Sequence, residues 1–176
     1  MSMVNKKHSG RVSLIGFMAS GKTTVGGLLS KRLGFKFKDI DRLVEETVGK
    51  TIPEIFKTEG EEKFREYESK ALWSLKGEEH IVISTGGGAP IEEKNRSFFK
   101  EYSFTIFLYI SFDEMVRRTF KGGKRIRPLL NKPLEEVKEL YSRRLPVYES
   151  LGVKINTDNV SPMEICNRIV DLLKRR

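Results

Sequence analysis

Residues 16–23 read Gly-Phe-Met-Ala-Ser-Gly-Lys-Thr and fit the phosphate-binding pattern G-x-x-x-x-G-K-[ST]. The pattern works only in one setting, a strand that turns through glycines into a helix. Both flanks supply that setting. Val12-Ser13-Leu14-Ile15 is short, apolar and β-branched, as a buried strand is. From Lys22 to Leu33 the apolar residues Val25, Leu28, Leu29 and Leu33 recur at helical spacing. Gly16 and Gly21 allow the backbone to aim successive N–H groups at a phosphate chain, and the helix N-terminus adds its positive dipole end. Lys22 is placed to reach the β- and γ-phosphate oxygens, and the Thr23 hydroxyl to ligate Mg²⁺.

Strands and helices alternate along the rest of the chain. Phe35–Asp39 reads as a second strand, followed by a short helix from Arg42 to Val48 that stops at Gly49. Thr51 and Pro53 mark the start of a third helix with Ile52, Ile55 and Phe56 inward. Gly60 ends it, and a longer helix from Glu61 to Lys76 buries Phe64, Ala71, Leu72 and Leu75. His80–Ser84 is a strand that runs into Thr85-Gly86-Gly87-Gly88. Helix is expected over 91–100 and 112–120, strand over 104–110 and 153–156, and helix again over 134–150 with a bend at Pro146. Ser161-Pro162 caps a closing helix. Residues 121–133 hold two glycines, two prolines and the bases Lys124, Arg125 and Arg127 without core periodicity, which reads as a mobile basic loop.

Such alternation predicts a mostly parallel sheet with helices on both faces. Ligands in these sheets collect at the carboxyl ends of the strands. The segments 16–23, 39–41 and 85–88 all follow strands, so they are expected to meet in one cleft.

At 176 residues the chain is expected to be one domain, 1–176, with a substantial core. The first ten residues are polar, and no stretch approaches the ~20 apolar residues of a membrane span. A single cysteine, Cys166, excludes an internal disulfide framework. His8 and His80 are far apart and lack cysteine companions, which argues against a zinc site. A cytoplasmic setting is the default expectation. The formal charge of +9 suits an enzyme with anionic ligands. Both signs are interspersed and no aromatic-interleaved basic stripe exists, so nucleic acid is not expected as a partner.

Within the expected cleft, Asp39 and Asp41 close the second strand. Residues two apart on an extended segment point the same way, and Mg²⁺ on a nucleotide takes only one or two protein carboxylates. Asp39 is expected in the Mg²⁺ shell and Asp41 against an acceptor hydroxyl; the plainer alternative is that Asp41 caps the helix it precedes. Arg65 and Glu68 are three apart on one helix and by spacing alone read as a surface ion pair. Arg127 in the basic loop offers a bidentate guanidinium of the kind that stabilises phosphoryl transfer. Arg144 is a candidate for an anionic group of the substrate.

Taken together, Gly16 to Thr23, Asp39-Ile40-Asp41, Ile55-Phe56, Gly60-Glu61, Phe64-Arg65, Glu68, Gly86-Gly87-Gly88, Arg127-Pro128-Leu129-Leu130 and Arg144-Leu145-Pro146-Val147-Tyr148 resemble the shikimate kinase family. The resemblance spans roughly residues 11–175. It implies a three-layer α/β/α P-loop kinase fold with a central five-stranded parallel sheet, a helical substrate-binding region near 39–76 and a mobile lid near 119–133. It further implies ATP and Mg²⁺ as cofactors, shikimate as the small-molecule partner, and a monomer.

The resemblance also assigns roles. Arg65 and Arg144 would clamp the shikimate carboxylate, with Gly87 and Gly88 approaching by backbone. Asp41 would bind ring hydroxyls and accept the proton of the attacking 3-hydroxyl. Lys22 and Arg127 would stabilise the transferring phosphoryl group. Ala19, Ser20, Gly21, Lys22, Thr23 and Thr24 would hold ATP, with Arg118 near the adenine. Thr23, and Asp39 through water, would hold the metal.

Three departures stand out. Ala19 occupies a position where the family commonly has glycine, which a negative φ would accommodate. The segment from Arg118 to Arg127 is longer and more basic than in relatives. The loop 158–161 lacks an arginine that some members place against adenine. Rival readings are a gluconate-kinase-like enzyme, a non-catalytic nucleotide-binding module and a basic RNA-binding domain.

Overall fold

Five short, apolar segments pair side by side to form the centre of the molecule. A computed structural model describes residues 10–120 and 133–175. Its strands are β1 (Arg11–Ile15), β2 (Lys36–Asp39), β3 (Ile81–Ser84), β4 (Phe104–Tyr109) and β5 (Val153–Asn156). They form one sheet in the order β2-β3-β1-β4-β5, with every pairing parallel. The expected sheet, its strand count and its orientation are all present.

Parallel strands need crossovers, and here the crossovers are helices covering both faces. Side chains alternate across β1, β3 and β4 accordingly. Val12, Leu14, Val82, Phe104, Ile106 and Leu108 pack with α1 (Lys22–Leu33) and α8 (Pro162–Lys174). Ile15, Ile81, Ile83 and Phe107 face the other layer, formed by α2 (Ile40–Val48), α3 (Ile52–Thr58), α4 (Gly60–Ser74) and α7 (Leu134–Leu151). Cys166 is a fully buried member of the α1–α8 layer.

Helix boundaries follow local chemistry. Thr51 caps α3 with Glu54 reaching back to it, and Pro53 stands in the first turn. Ser161 caps α8 by accepting from the Glu164 N–H at 3.2 Å, again with a proline in the first turn. α7 runs through Pro146 without ending. The helix expected over 91–100 is shorter: α5 is Glu93–Ser97, and Phe98–Tyr102 widens into a π turn. Phe98 and Phe99 are consecutive and both at most 1% exposed. Both belong to the core, Phe98 packing against Trp73 and Tyr102. The remaining helix, α6, is Phe112–Phe120.

At the amino end of the sheet a buried arginine gathers two segments. Arg11 donates to the carbonyls of Glu78, Lys76 and Tyr102, at 2.9 Å from Nε to Glu78. A buried guanidinium costs heavily unless its donors are satisfied, and these carbonyls satisfy it where two connections leave their helices.

Candidate active site

The order β2-β3-β1 brings three loops together at the carboxyl end of the sheet. They enclose a cavity of about 360 Å³ lined by Ala19, Gly21, Lys22, Thr23, Thr24, Asp39, Asp41, Ser84, Thr85, Gly86, Gly87 and Arg118. The expected convergence of 16–23, 39–41 and 85–88 is therefore present. Ser20 is fully buried beneath the loop rather than on the wall.

Two left-handed residues shape the phosphate loop, Ala19 at φ +60° and Gly21 at φ +91°. The negative φ expected for Ala19 is not adopted. Its Ser20 N–H turns back to the Phe17 carbonyl at 3.4 Å, and closing that turn rotates Ala19 into the left-handed region. Lys22 is folded onto its own loop, with Nζ 2.9 Å from both the Gly16 and Phe17 carbonyls. Gly16 admits no side chain, because a Cβ there would lie 2.5 Å from the Leu108 carbonyl oxygen.

Thr23 and Asp39 are joined, hydroxyl donating to Oδ2 at 3.1 Å, with the Ser84 hydroxyl 3.5 Å from Thr23. The other Asp39 oxygen accepts from the N–H groups of Asp41 and Arg42 at 3.1 and 3.4 Å. Asp39 is thus the cap of α2, and Asp41 lies in its first turn. This corrects the expectation in two ways. The capping carboxylate is Asp39, and the two acids share the cleft because a helix begins between them, not through strand alternation. Both carboxylates nevertheless line the cavity.

Arg65 and Glu68 are not a surface pair. Glu68 is fully buried, and Arg65 is 18% exposed and donates to it at 2.8 Å. Burial pushes the Glu68 carboxyl up to about 6 against the pull of Arg65, and the nearby Asp41 carboxylate adds to the rise. Both side chains close in on the glycine turn. A Cβ on Gly86 would lie 2.4 Å from Glu68 Oε1, and one on Gly88 2.2 Å from Arg65 Nη1. Arg144 completes the group, with Nη1 3.4 Å from the Cβ position of Gly87. One helical turn on, Tyr148 is buried and donates to the Gly87 carbonyl at 2.6 Å. Two guanidinium groups from α4 and α7 therefore press on one glycine turn.

Arg118 stands at the opposite end of the cavity. Its donors reach Glu114 Oε1 at 2.8 Å, the Ala19 carbonyl at 3.2 Å and the Thr157 carbonyl. Residues 121–132, which carry Arg127 and most of the expected lid, lie outside the described residues. Among the described residues no cluster of three His, Cys, Asp or Glu could hold a metal, and no helix is long and apolar enough to cross a membrane.

Sequence reasoning missed Ser84, Thr85, Glu114 and Tyr148. Ser84 and Thr85 precede the glycine run directly, which is a usable signal; Tyr148 lies four residues after Arg144, on the same helix face. Glu114 offers no signal beyond its i,i+4 spacing to Arg118.

A phosphate loop, an acidic pair and two buried-edge arginines around a triple glycine make a demanding combination. The family model described as shikimate kinase matches residues 18–174 of this chain. The chain belongs to the shikimate kinase family. Among its relatives, a shikimate kinase of Sulfurihydrogenibium sp. (strain YO3AOP1) is 38% identical over 165 residues, covering 94% of this chain and 98% of that protein. That of Aquifex aeolicus (strain VF5) is 41% identical over 160 residues, covering 91% and 94%. The solved shikimate kinase from Acinetobacter baumannii, in complex with shikimate, superposes with a TM-score of 0.87 at 34% identity, covering 94% of this chain and 93% of that one.

Proposed function

We propose that the protein transfers the γ-phosphoryl group of ATP to the 3-hydroxyl of shikimate, giving shikimate 3-phosphate and ADP. The observation that carries this reading is the pairing of Arg65 and Arg144 across the Gly86–Gly88 turn, beside Asp41 and facing the phosphate loop. A small carboxylate between two guanidinium forks is held bidentately and in one orientation. Family membership and the likeness to a protein solved with shikimate support the same acceptor.

In the reaction the 3-hydroxyl oxygen forms a bond to the γ-phosphorus as the bond from that phosphorus to the β,γ-bridging oxygen breaks. Asp41 is the carboxylate on the cleft wall suited to orient the hydroxyl and take its proton. Lys22 exchanges its hold on the Gly16 and Phe17 carbonyls for phosphate oxygens. Preorganised cations of this kind stabilise charge where it develops. Thr23 and Asp39, joined at 3.1 Å, would hold Mg²⁺ through hard oxygen donors. When bound, the ion neutralises charge between the β- and γ-phosphates. Arg127, Ser20 and Thr24 are proposed phosphate contacts, Arg118 an adenine-side one, and Gly87 and Gly88 backbone contacts to the acceptor. We read the protein as a cytoplasmic monomer with no nucleic-acid partner.

An ADP-release assay with ATP and Mg²⁺ tests the proposal, comparing shikimate, gluconate and no acceptor. Turnover with shikimate alone is expected. Turnover with gluconate alone would keep the fold and overturn the acceptor. ATP binding without turnover on any acceptor would point to a regulatory nucleotide module.

A further inference from the structure

The phosphate loop carries a residue whose backbone it does not suit. Ala19 sits at φ +60°, in a region that disfavours every residue with a Cβ. The turn that sets this φ is closed within the loop, and a contact from outside the loop completes it. The Ala19–Ser20 peptide is gripped from both sides. Its N–H donates to the Phe17 carbonyl at 3.4 Å, and its carbonyl, pointing the opposite way across the trans peptide, accepts from Arg118 Nη1 at 3.2 Å.

Arg118 is itself fixed by groups that do not line the cavity. Its Nη2 reaches the Thr157 carbonyl, in a segment pinned to the Tyr109 carbonyl by both the N–H and the hydroxyl of Thr157 at 2.9 Å. Its Nε donates to Glu114 Oε1 at 2.8 Å. Glu114 lies one turn back on α6 and is 7% exposed. Arg117 binds the same carboxylate with Nε and Nη2, and the two arginines together hold the Glu114 carboxyl well below the usual range, at about 2. It is therefore a charged, doubly anchored post, with Arg118 as the arm between it and the loop.

We infer that Glu114 is a positioning residue for nucleotide binding, which acts through Arg118 to hold the Ala19–Ser20 peptide in its left-handed setting. The inference rests on the reading of the cleft as an ATP site, not on the identity of the acceptor. It predicts a coupling between two residues that do not touch. Neutralising Glu114 loosens Arg118, and the loop relaxes only because residue 19 is alanine. With glycine at that position the left-handed setting needs no support.

The test is a double-mutant cycle read by calorimetric titration of ATP, with excess Mg²⁺, into the full chain. Glu114→Gln should weaken ATP binding about tenfold, the scale of one lost charge-assisted hydrogen bond, while the KM for shikimate changes less than about twofold. In an Ala19→Gly background the same substitution should cost less than about threefold. Arg118→Lys keeps a cation against Glu114 but cannot span two carbonyls. It should reproduce the loss, and because Arg118 is also read as an adenine-side contact, the part of that loss rescued by Ala19→Gly carries the test should E114Q not fold. Wild-type ATP affinity in both E114Q and R118K, an equal rise in the KM for both substrates, or an undiminished E114Q penalty beside A19G would each overturn the inference. Wild-type protein that binds ATP but ignores shikimate would defeat the proposed acceptor and leave this coupling in place. Failure of the wild type to bind ATP would overturn both.

Discussion

The two halves of the cleft are built on opposite plans. The proposed nucleotide half is made mostly of backbone from one unbroken segment, residues 16–24, with Lys22 and Thr23 as its principal side chains. The proposed acceptor half is made of side chains collected from α2, α4 and α7 around a glycine turn. Backbone N–H groups are present whatever the side chain, so the first plan depends on local geometry. The second depends on buried charge, and buried charge is costly unless each group is matched. Glu68, fully buried against Arg65 and near Asp41, shows the tension directly in its raised pKa. One half is robust in composition and fragile in conformation; the other is the reverse.

Substitutions separate the two plans. Lys22→Ala should have the largest effect, lowering kcat by roughly 10²–10³ in a protein that still folds, as for loss of one preorganised donor to developing charge. A near-normal kcat would remove the loop lysine from the reaction. Arg65→Lys should act on the acceptor half alone. Losing the fork should raise the KM for shikimate about tenfold or more and that for ATP less than about twofold. Equal changes in both would show that the halves are not independent.

The pH dependence of stability isolates the buried carboxyl. A Glu68 pKa raised to about 6 means the native state keeps a proton that the unfolded chain releases near 4.5. This residue's contribution therefore falls as pH rises between those values and is flat above them. Glu68→Gln has no such loss, so its stability relative to wild type should improve by about 2 kcal/mol across that window. Denaturant midpoints from pH 4 to 8 would show it, and a constant difference would mean the carboxyl is not raised. The smallest effect belongs to the nucleotide half. Ala19→Gly relieves a left-handed alanine, worth about 1–2 kcal/mol, but loosens the unfolded chain by about 0.4–1 kcal/mol. A net gain between about zero and about 1.5 kcal/mol is expected, at most ~5 °C in Tm for a chain of this size. A clear loss of Tm would show that the alanine methyl packs favourably.

The same contrast explains what could be read in advance. The phosphate loop was legible because its parts are contiguous and its flanks announce strand and helix. The parallel sheet followed from alternation, and the cleft from the three loops that end strands. Arg65 and Glu68 were not separable from a solvated pair, because i,i+3 spacing does not say which face of α4 is buried. Asp39 and Asp41 were placed in the right cleft for the wrong reason, since α2 begins two residues earlier than its apolar pattern suggests. A negative φ would accommodate Ala19, but side-chain size alone says nothing of a turn closed by the Ser20 N–H on the Phe17 carbonyl. The π turn at 98–102 has no local mark in the sequence.

All of the chemistry lies at the carboxyl end of the strands, while the Arg11 clamp lies at the amino end, the length of β1 away, or about 16 Å for five residues. Durability and catalysis are thereby assigned to different ends of one short strand. A lineage facing a hotter or colder environment can retune the lower end, around residues 76–78 and 102, without renegotiating the geometry that recognises substrate. The sheet acts as a spacer between two kinds of selection.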